Sequence, residues 1–539
     1  MSENFNKMLS REKIAKSSLK MSLVTTVSRM FGLVRDQIQA ALLGTAFIAD
    51  AFAIGFMLPN LLRRLFAEGN MVASFIPVFT ELEKEKGKEE SKKFFRAVFT
   101  LLGLILIAAV CIGIAASPLL VRILYKSAYD NIEALNLASD LSRIMFPYLL
   151  FISLAALMQG VLNIRGYYSI SAASPILLNT VIISMSLFFY FFLPNFFNNM
   201  SYVFAVSVLL GGFVQFIYQM PFVYRQGFSF KPYFNFKEAY VIKMIKLFAP
   251  GILGASIYQI NLLVSTAFAG AIGEGRVSAV TFATRMHEFV LGVFAVSVAT
   301  VMLPSLSRLI TDGKKYEAAE TLSYSLRLVA LVTIPATFGF IVMGKEIVRM
   351  IFEYGAFSSN STYLVSSALK YLSVSLFFTA SYRILVQSFY AMKDMKTPVY
   401  TAFFAFIINA VSNYLCVYIF KFDIIGISIS SVVANITSFC ILYVLLMKRM
   451  ALSSIINNKI EVVKTLISSI FMAAAVYGIK YYLLPYQYDL KIFFIFKVFI
   501  IIILGAVFYS LMNIILRNDD FLSFINMFTG RFLRKFAKK

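Results

Sequence analysis

Stretches of roughly 20 apolar residues recur along this 539-residue chain, the length of helix that crosses a bilayer's hydrocarbon core of about 30 Å. Phe99–Ala116, Ile176–Leu193, Thr401–Phe420 and Ile492–Leu511 are the clearest. Hydrophobic residues make up 60% of the chain and charged residues only 14%, against about 25% charged in soluble domains. One soluble core cannot hide that much apolar surface. A helix satisfies its own backbone polar groups in lipid, so the chain is expected to be an all-α polytopic membrane protein. Its pattern predicts about fourteen transmembrane helices, near 18–44, 47–80, 93–124, 134–162, 171–194, 201–224, 239–270, 276–309, 318–350, 362–391, 397–420, 424–447, 459–484 and 490–516. Several exceed the bilayer thickness, which calls for tilting or a cytoplasmic extension.

The connections set the orientation. One alternate set is basic: Lys7, Arg11, Lys13 and Lys16; Lys84–Lys88 with Lys92 and Lys93; Arg225, Lys231 and Lys237; Lys314 and Lys315; Lys393 and Lys396; Lys448, Arg449 and Lys459; and the tail residues Arg531, Arg534, Lys535, Lys538 and Lys539. The other set, Thr45–Ile48, Pro194–Met200, Phe357–Thr362 and Leu484–Asp489, is nearly uncharged. Lys and Arg gather on the cytoplasmic side, so both termini are expected there. The same loops account for the net charge of +23, which in a soluble protein would suggest nucleic acid. No cleavable signal peptide is expected. Cys111, Cys416 and Cys440 lie in apolar stretches, with no spacing for a metal or a disulfide framework, and His287 is the single histidine.

An internal repeat organises the helices. Ser74-Phe-Ile-Pro77-Val-Phe-Thr-Glu81 returns loosely as Val301-Met-Leu-Pro304-Ser-Leu-Ser-Arg308, a shift of 304 − 77 = 227. Gln159-Gly-Val-Leu-Asn-Ile-Arg165 returns as Gln387-Ser-Phe-Tyr-Ala-Met-Lys393, a shift of 387 − 159 = 228. Each of the latter precedes a helix with Pro and Asn, Pro175 and Asn179 or Pro398 and Asn409. The offset spans an even number of helices, so the repeats are parallel. The expected plan is two six-helix lobes, 1–225 and 226–450, around a central cavity. Two extra helices over 451–516 and a basic cytoplasmic tail over 517–539 complete it.

Ionisable groups at membrane depth are costly and by default face a cavity or a partner. The first helix carries Ser28, Arg29, Arg35 and Asp36, and Arg29 and Asp36 share one stripe seven residues apart. Asp50 opens the second, followed by Arg63, Arg64 and Glu68, the last two an i,i+4 pair. The eighth carries Arg285 and Glu288 around His287, which is read as structural. Arginines outnumber nearby carboxylates, and guanidinium groups match phosphate oxygens bidentately without ever deprotonating. Arg29, Arg35, Arg63 and Arg285 are therefore expected to bind an anionic phosphate or pyrophosphate headgroup. Arg143 and Arg383 read as packing or snorkelling residues. Asn409 and Asn413, four apart on one face, are weak candidates for a cation site beside the commoner use as interhelical hydrogen-bonding groups. Asp519-Asp520 reads as an isolated, solvated turn. No catalytic constellation, resident metal or cofactor is expected, and no phosphate-binding loop for ATP is present.

The run Leu19-Lys-Met-Ser-Leu-Val-Thr-Thr-Val-Ser-Arg-Met-Phe-Gly-Leu-Val-Arg-Asp36 resembles the opening of the MurJ (MviN) lipid II flippases. So do Asp50-Ala-Phe through Leu58-Pro-Asn-Leu-Leu-Arg-Arg-Leu-Phe-Ala-Glu-Gly69, Ser74-Phe-Ile-Pro77, Arg285-Met-His-Glu-Phe289, Gly292-Val-Phe294 and Leu303-Pro-Ser305. The resemblance spans the chain, including the two extra helices. It implies the fold of the multidrug/oligosaccharidyl-lipid/polysaccharide exporter superfamily and a transporter of the bacterial cytoplasmic membrane. The implied substrate is lipid II, an undecaprenyl-pyrophosphate glycopeptide, flipped to the outer leaflet for peptidoglycan synthesis, with the peptidoglycan synthesis machinery as a partner. It also implies cavity roles for Ser28, Arg29, Arg35, Asp36, Asp50, Arg63, Glu68, Arg285 and Glu288, and a lipid-tail groove on the last two helices. Two departures stand out. Thr284 replaces an acid that some members carry, and the helix Phe248–Gly270 has no carboxylate for a sodium site. Coupling to a monovalent cation or to the membrane potential is left open. The alternatives are a flippase for another polyprenyl-linked oligosaccharide and a cation or drug antiporter of the same superfamily.

Overall fold

The computed structural model describes residues 27–66, 70–128, 131–197, 199–293, 295–450, 459–484 and 491–525, and every regular element among them is helical. Among the described residues, ten helical segments are long and apolar enough to cross a membrane. Helices α2 (Phe47–Phe66) and α9 (Arg276–Val293) are not among the ten, and both carry charges singled out above. The chain divides into two compact units. One ends at Ser278 and takes in Tyr354–Phe357; the other is Ala279–Glu353 with the residues from Ser358 on.

The first unit begins with α1 (27–43) and α2, then α3 (Asn70–Leu124), α4 (Ile132–Met145), α5 (Tyr148–Ile164), α6 (Tyr168–Phe192), α7 (Met200–Arg225) and α8 (Ala239–Ile272). The sequence predicts a loop over Lys84–Lys93, but α3 runs helically through it, broken only at Gly87 (φ 84°, ψ −179°). That backbone region is essentially glycine-only. Around it, Lys92–Glu89 and Lys93–Glu90 pairs at 2.7 Å hold the exposed turns, as i,i+3 charges do. The predicted helix 134–162 is likewise two, α4 and α5, divided at Phe146-Pro147.

The core of this unit is aromatic at one end. Phe75, Phe79, Phe94, Phe95 and Phe228 are fully buried, with Phe75 stacked on Phe94 at 5.6 Å and Phe95 edge-on to Phe228 at 5.2 Å. Phe228 belongs to the connection after α7, which folds back onto α3: Arg96 Nε donates to the Lys231 carbonyl at 2.9 Å. Arg165, bonded to both Glu83 oxygens at 2.6 and 3.1 Å, lies over the Phe79 and Phe228 rings. A second close approach joins the end of α1 to Tyr354–Phe357. The Ala356 N–H donates to the Ala41 carbonyl at 2.8 Å. Gly44 and Gly355 both have positive φ, and a Cβ on either would lie within 2.5 Å of a facing carbonyl oxygen. Only glycine fits both positions.

The second unit takes up α9 and continues through α10 (Ala295–Thr311), α11 (Lys315–Phe352), α12 (Ser359–Leu372), α13 (Leu376–Ala391), α14 (Lys396–Tyr414), α15 (Ile424–Met450), α16 (Lys459–Leu483) and α17 (Lys491–Ile515). A short 3-10 turn, Ser373–Ser375, divides the predicted helix 362–391 into α12 and α13. Helices α16 and α17 pack on α11 and on each other through Leu331, Met343, Met472, Val476, Val498, Ile501 and Tyr509. The isolated, solvated turn expected at Asp519-Asp520 holds for the exposed Asp519 and not for Asp520. Asp520 is 6% exposed and pairs with the buried Arg327 of α11, accepting from Nε at 2.7 Å and Nη2 at 3.3 Å. Asp519 donates its backbone N–H to Glu461 at 2.9 Å. Phe521 completes the apolar cluster beneath them. An unpaired buried arginine would be costly, so Asp520 is drawn in while Asp519 beside it stays exposed.

Candidate functional site

In the first unit, Ser28, Arg29, Arg35 and Asp36 all lie on α1. Arg29 and Asp36 share a helical stripe, but the partner that reaches Asp36 is Arg35. Arg35 Nε and Nη2 reach Asp36 Oδ1 at 3.1 and 2.7 Å, because a long guanidinium arm can fold back to its neighbour. Its Nη1 donates to Asn179 Oδ1 at 3.1 Å, and the Asn179 amide donates to the Ser28 carbonyl at 3.4 Å. Asn179 of α6, flagged in the sequence only as part of the repeat, therefore orients the Arg35 fork.

Asp50 is fully buried. Its two oxygens accept from the backbone N–H groups of Gly275 at 2.6 Å and Ser278 at 2.7 Å. A carboxylate receiving two amide donors where a helix starts is stabilised by those donors and by the helix dipole. Asp50 thus anchors the Gly275–Ser278 turn. Arg63 Nε donates to Asn60 at 2.9 Å, and the buried Arg64 Nε has no hydrogen-bond partner among the described residues. Glu68, and with it the expected Arg64–Glu68 pair, lies outside the described residues. Among the described candidates on α1 and α2, four arginines (29, 35, 63, 64) face two acids (36, 50), an excess of 4 − 2 = 2 positive charges.

In the second unit, Glu288 on α9 binds Arg383 of α13, with both oxygens 2.9 Å from Nη2. Arg383, expected to be a packing or snorkelling residue, is therefore an ion-pair partner between two helices. The pair spans 95 residues, beyond any helical spacing. Arg285 is exposed on the same helix. His287 is 4% exposed and sits 3.1 Å from Ser375 Oγ. That hydroxyl gives its proton to the Leu372 carbonyl at 2.8 Å, so it accepts from His287 Nε2–H, a structural bond. On α14 the buried Asn413 amide donates to Asn409 Oδ1 at 3.1 Å. Its own Oδ1 has no hydrogen-bond partner among the described residues. No group of three His, Cys, Asp or Glu that could hold a metal is found among the described residues.

The long apolar helices are those of a polytopic membrane protein, and comparison with known proteins says of which family. The family model for lipid II flippase MurJ matches residues 39–511. A probable lipid II flippase MurJ of Buchnera aphidicola (from Acyrthosiphon pisum) is 33% identical over 417 residues, covering 77% of this chain and 81% of that protein. The corresponding Haemophilus influenzae protein is 30% identical over 509 residues, covering 92% and 98%. A solved lipid II flippase MurJ in an inward closed conformation superposes with a TM-score of 0.75 at 25% identity, covering 92% of this chain and 98% of that one. An inward-facing multidrug resistance MATE transporter of the MOP superfamily gives 0.65 at 13% identity over 81% and 98%, a likeness of fold alone. The chain belongs to the lipid II flippase MurJ family, a family of transporters rather than enzymes.

Proposed function

We propose that the chain translocates lipid II across the cytoplasmic membrane by alternating access, with arginines holding the headgroup. The family match over residues 39–511 carries this reading. The chemistry agrees with it: the described α1 and α2 candidates hold more arginines than acids, and a pyrophosphate is the ligand such a surplus suits. In this reading Arg29, Arg35, Arg63 and Arg285 meet the pyrophosphate and its sugars, with Ser28 and Glu68 beside them. Arg35 is pre-oriented by Asp36 and Asn179. Glu288 fixes Arg383 on the same unit. Binding neutralises the surplus and lowers the cost of closing around the headgroup, while the polyprenyl tail stays in lipid.

The fourteen crossings belong to the same proposal. Helices α4 with α5, α9 with α10 and α12 with α13 each serve as one crossing, and α2 with the first part of α3 as another. The parallel lobes, 1–225 and 226–450, the lipid-tail groove over 451–516 and the basic tail over 517–539 follow from the repeat and the resemblance. Both termini are cytoplasmic by the distribution of basic loops. Energy must come from a ligand or ion that binds one state better than the other, whether the membrane potential or a monovalent cation near Asn409 and Asn413. The peptidoglycan synthesis machinery is the expected consumer. The test is depletion in cells that carry this protein as their sole flippase, with cleavage of lipid II by an enzyme confined to the outside as readout. Cleavage should stop on depletion; continued cleavage would point to another polyprenyl-linked glycan as substrate.

A further inference from the structure

The end of the second unit where α11 and α16 finish and α17 begins is basic on the wrong side. By the orientation proposed above, on which this inference rests, that end faces the outer leaflet, where Lys and Arg are normally scarce. Yet among the described residues it carries Lys345 and Arg349 on α11, Lys480 on α16 and Lys491 at the start of α17, against Glu346 and Glu353, a surplus of 4 − 2 = 2. Asp489 lies outside the described residues.

Internal pairing accounts for part of the cluster. Lys480 Nζ bonds Glu346 at 2.8 Å and the Val342 carbonyl at 3.0 Å, tying α16 to α11. Glu353 is engaged at both oxygens, by Arg349 Nε at 3.2 Å and by the Thr362 hydroxyl at 2.5 Å. Three basic side chains gather beside these pairs. Lys345 and Arg349 are four residues apart on one helix surface. The Arg349 guanidinium lies over the Phe494 ring, 4.6 Å from its centre, which holds it at this corner. Lys491, one turn before Phe494, donates to the Glu353 carbonyl and so sits at the same corner. Among the described residues no ion pair or hydrogen bond engages the Lys345 ammonium, and Arg349, ion-paired to Glu353 through Nε, makes no hydrogen bond through its two Nη atoms.

We propose that Lys345, Arg349 and Lys491 form a binding site for the phosphate of a lipid headgroup at the outer membrane surface. A guanidinium fork held over an aromatic ring, with two ammonium groups beside it, suits a tetrahedral phosphate better than a carboxylate. Two sources share this chemistry: an anionic phospholipid of the leaflet and a polyprenyl pyrophosphate.

The full chain in nanodiscs of phosphatidylcholine, doped with either phosphatidylglycerol or undecaprenyl pyrophosphate, separates them by native mass spectrometry of retained lipid. Lys345→Gln should weaken retention of the favoured lipid about fivefold, and the Lys345→Gln/Lys491→Gln pair about twenty-five-fold. Arg349→Lys, which keeps the charge and loses the fork, should still weaken it. Preference for phosphatidylglycerol assigns the leaflet lipid, and preference for the pyrophosphate assigns the polyprenyl ligand. Retention of both lipids unchanged in all the variants would overturn the site. Orientation is checked apart from binding, by impermeant maleimide labelling of Lys345→Cys with Cys111, Cys416 and Cys440 replaced by serine. Labelling only from the cytoplasmic side would overturn the outer-surface assignment.

Discussion

Replacing Asp520 by alanine should unfasten the end of the chain from α11. Arg327 and Asp520 side chains are only 9% and 8% exposed, so solvent screens the pair little. Removing one partner leaves the other charged and buried, a loss of about 3–5 kcal/mol, whereas replacing both by apolar residues of similar size is near neutral. Ser323 Oγ, 2.7 Å from Arg327 Nη1, recovers only a small part of the loss. The chain has no tryptophan, so unfolding in detergent is best followed with a thiol-reactive dye. Cys416 is buried and reports on opening once the exposed Cys111 and Cys440 are made serine. Asp520→Ala should lower the unfolding midpoint clearly, and Arg327→Met with Asp520→Leu should restore most of it. A midpoint unchanged in Asp520→Ala, or a double variant worse than the single one, would refute the reasoning.

Other consequences follow from the same structure. Asp50→Ala removes the acceptor of two buried amide donors, each bond to a carboxylate contributing about 1.5–3 kcal/mol, so amide exchange at Gly275–Ser278 should accelerate by at least tenfold. If Glu288 and Arg383 act as a pair, Glu288→Arg and Arg383→Glu should each impair transport, and the combined swap should recover part of it in the same assay. At the α13–α14 turn, partial desolvation works to raise the Asp394 carboxyl, but the Thr397 side chain and backbone, Arg449 and the Lys396 N–H outweigh it and hold it below 3.8. A depressed carboxyl keeps its contribution above the ordinary value and loses it as pH falls through the folded one. Proteolytic protection of this turn should therefore stay flat from pH 8 to about pH 5 and fall only in stronger acid.

The lipid-length apolar runs made the helical membrane class legible, since no soluble core accommodates them. What sequence spacing could not show were partners brought together by packing: Glu288 with Arg383 across 95 residues, Arg327 with Asp520 across 193, and Asp50 with backbone donors 225 residues away. Each is set by which helices lie side by side, and no local periodicity records that. One signal was available. Arg327 falls inside the predicted helix 318–350 with no acid within reach on its own face, so a distant carboxylate was required, and Asp519-Asp520 stood without an assigned partner. The helical passage through Lys84–Lys93 went unread because its charge suggested a loop, although Lys and Glu are good helix formers.

The most direct test of arginine-held headgroup transport compares Arg29→Ala, Arg35→Ala, Arg63→Ala and Arg285→Ala with Lys315→Ala, in cells depleted of any other flippase. Outward exposure of lipid II is measured beside membrane levels of each variant. Losing a bidentate contact to phosphate is worth about 1.5–3 kcal/mol, or about ten- to hundredfold in transport. The expected result is loss of exposure in the four variants at normal membrane levels, with Lys315→Ala indistinguishable from the parent. Full exposure in all four arginine variants would contradict the mechanism.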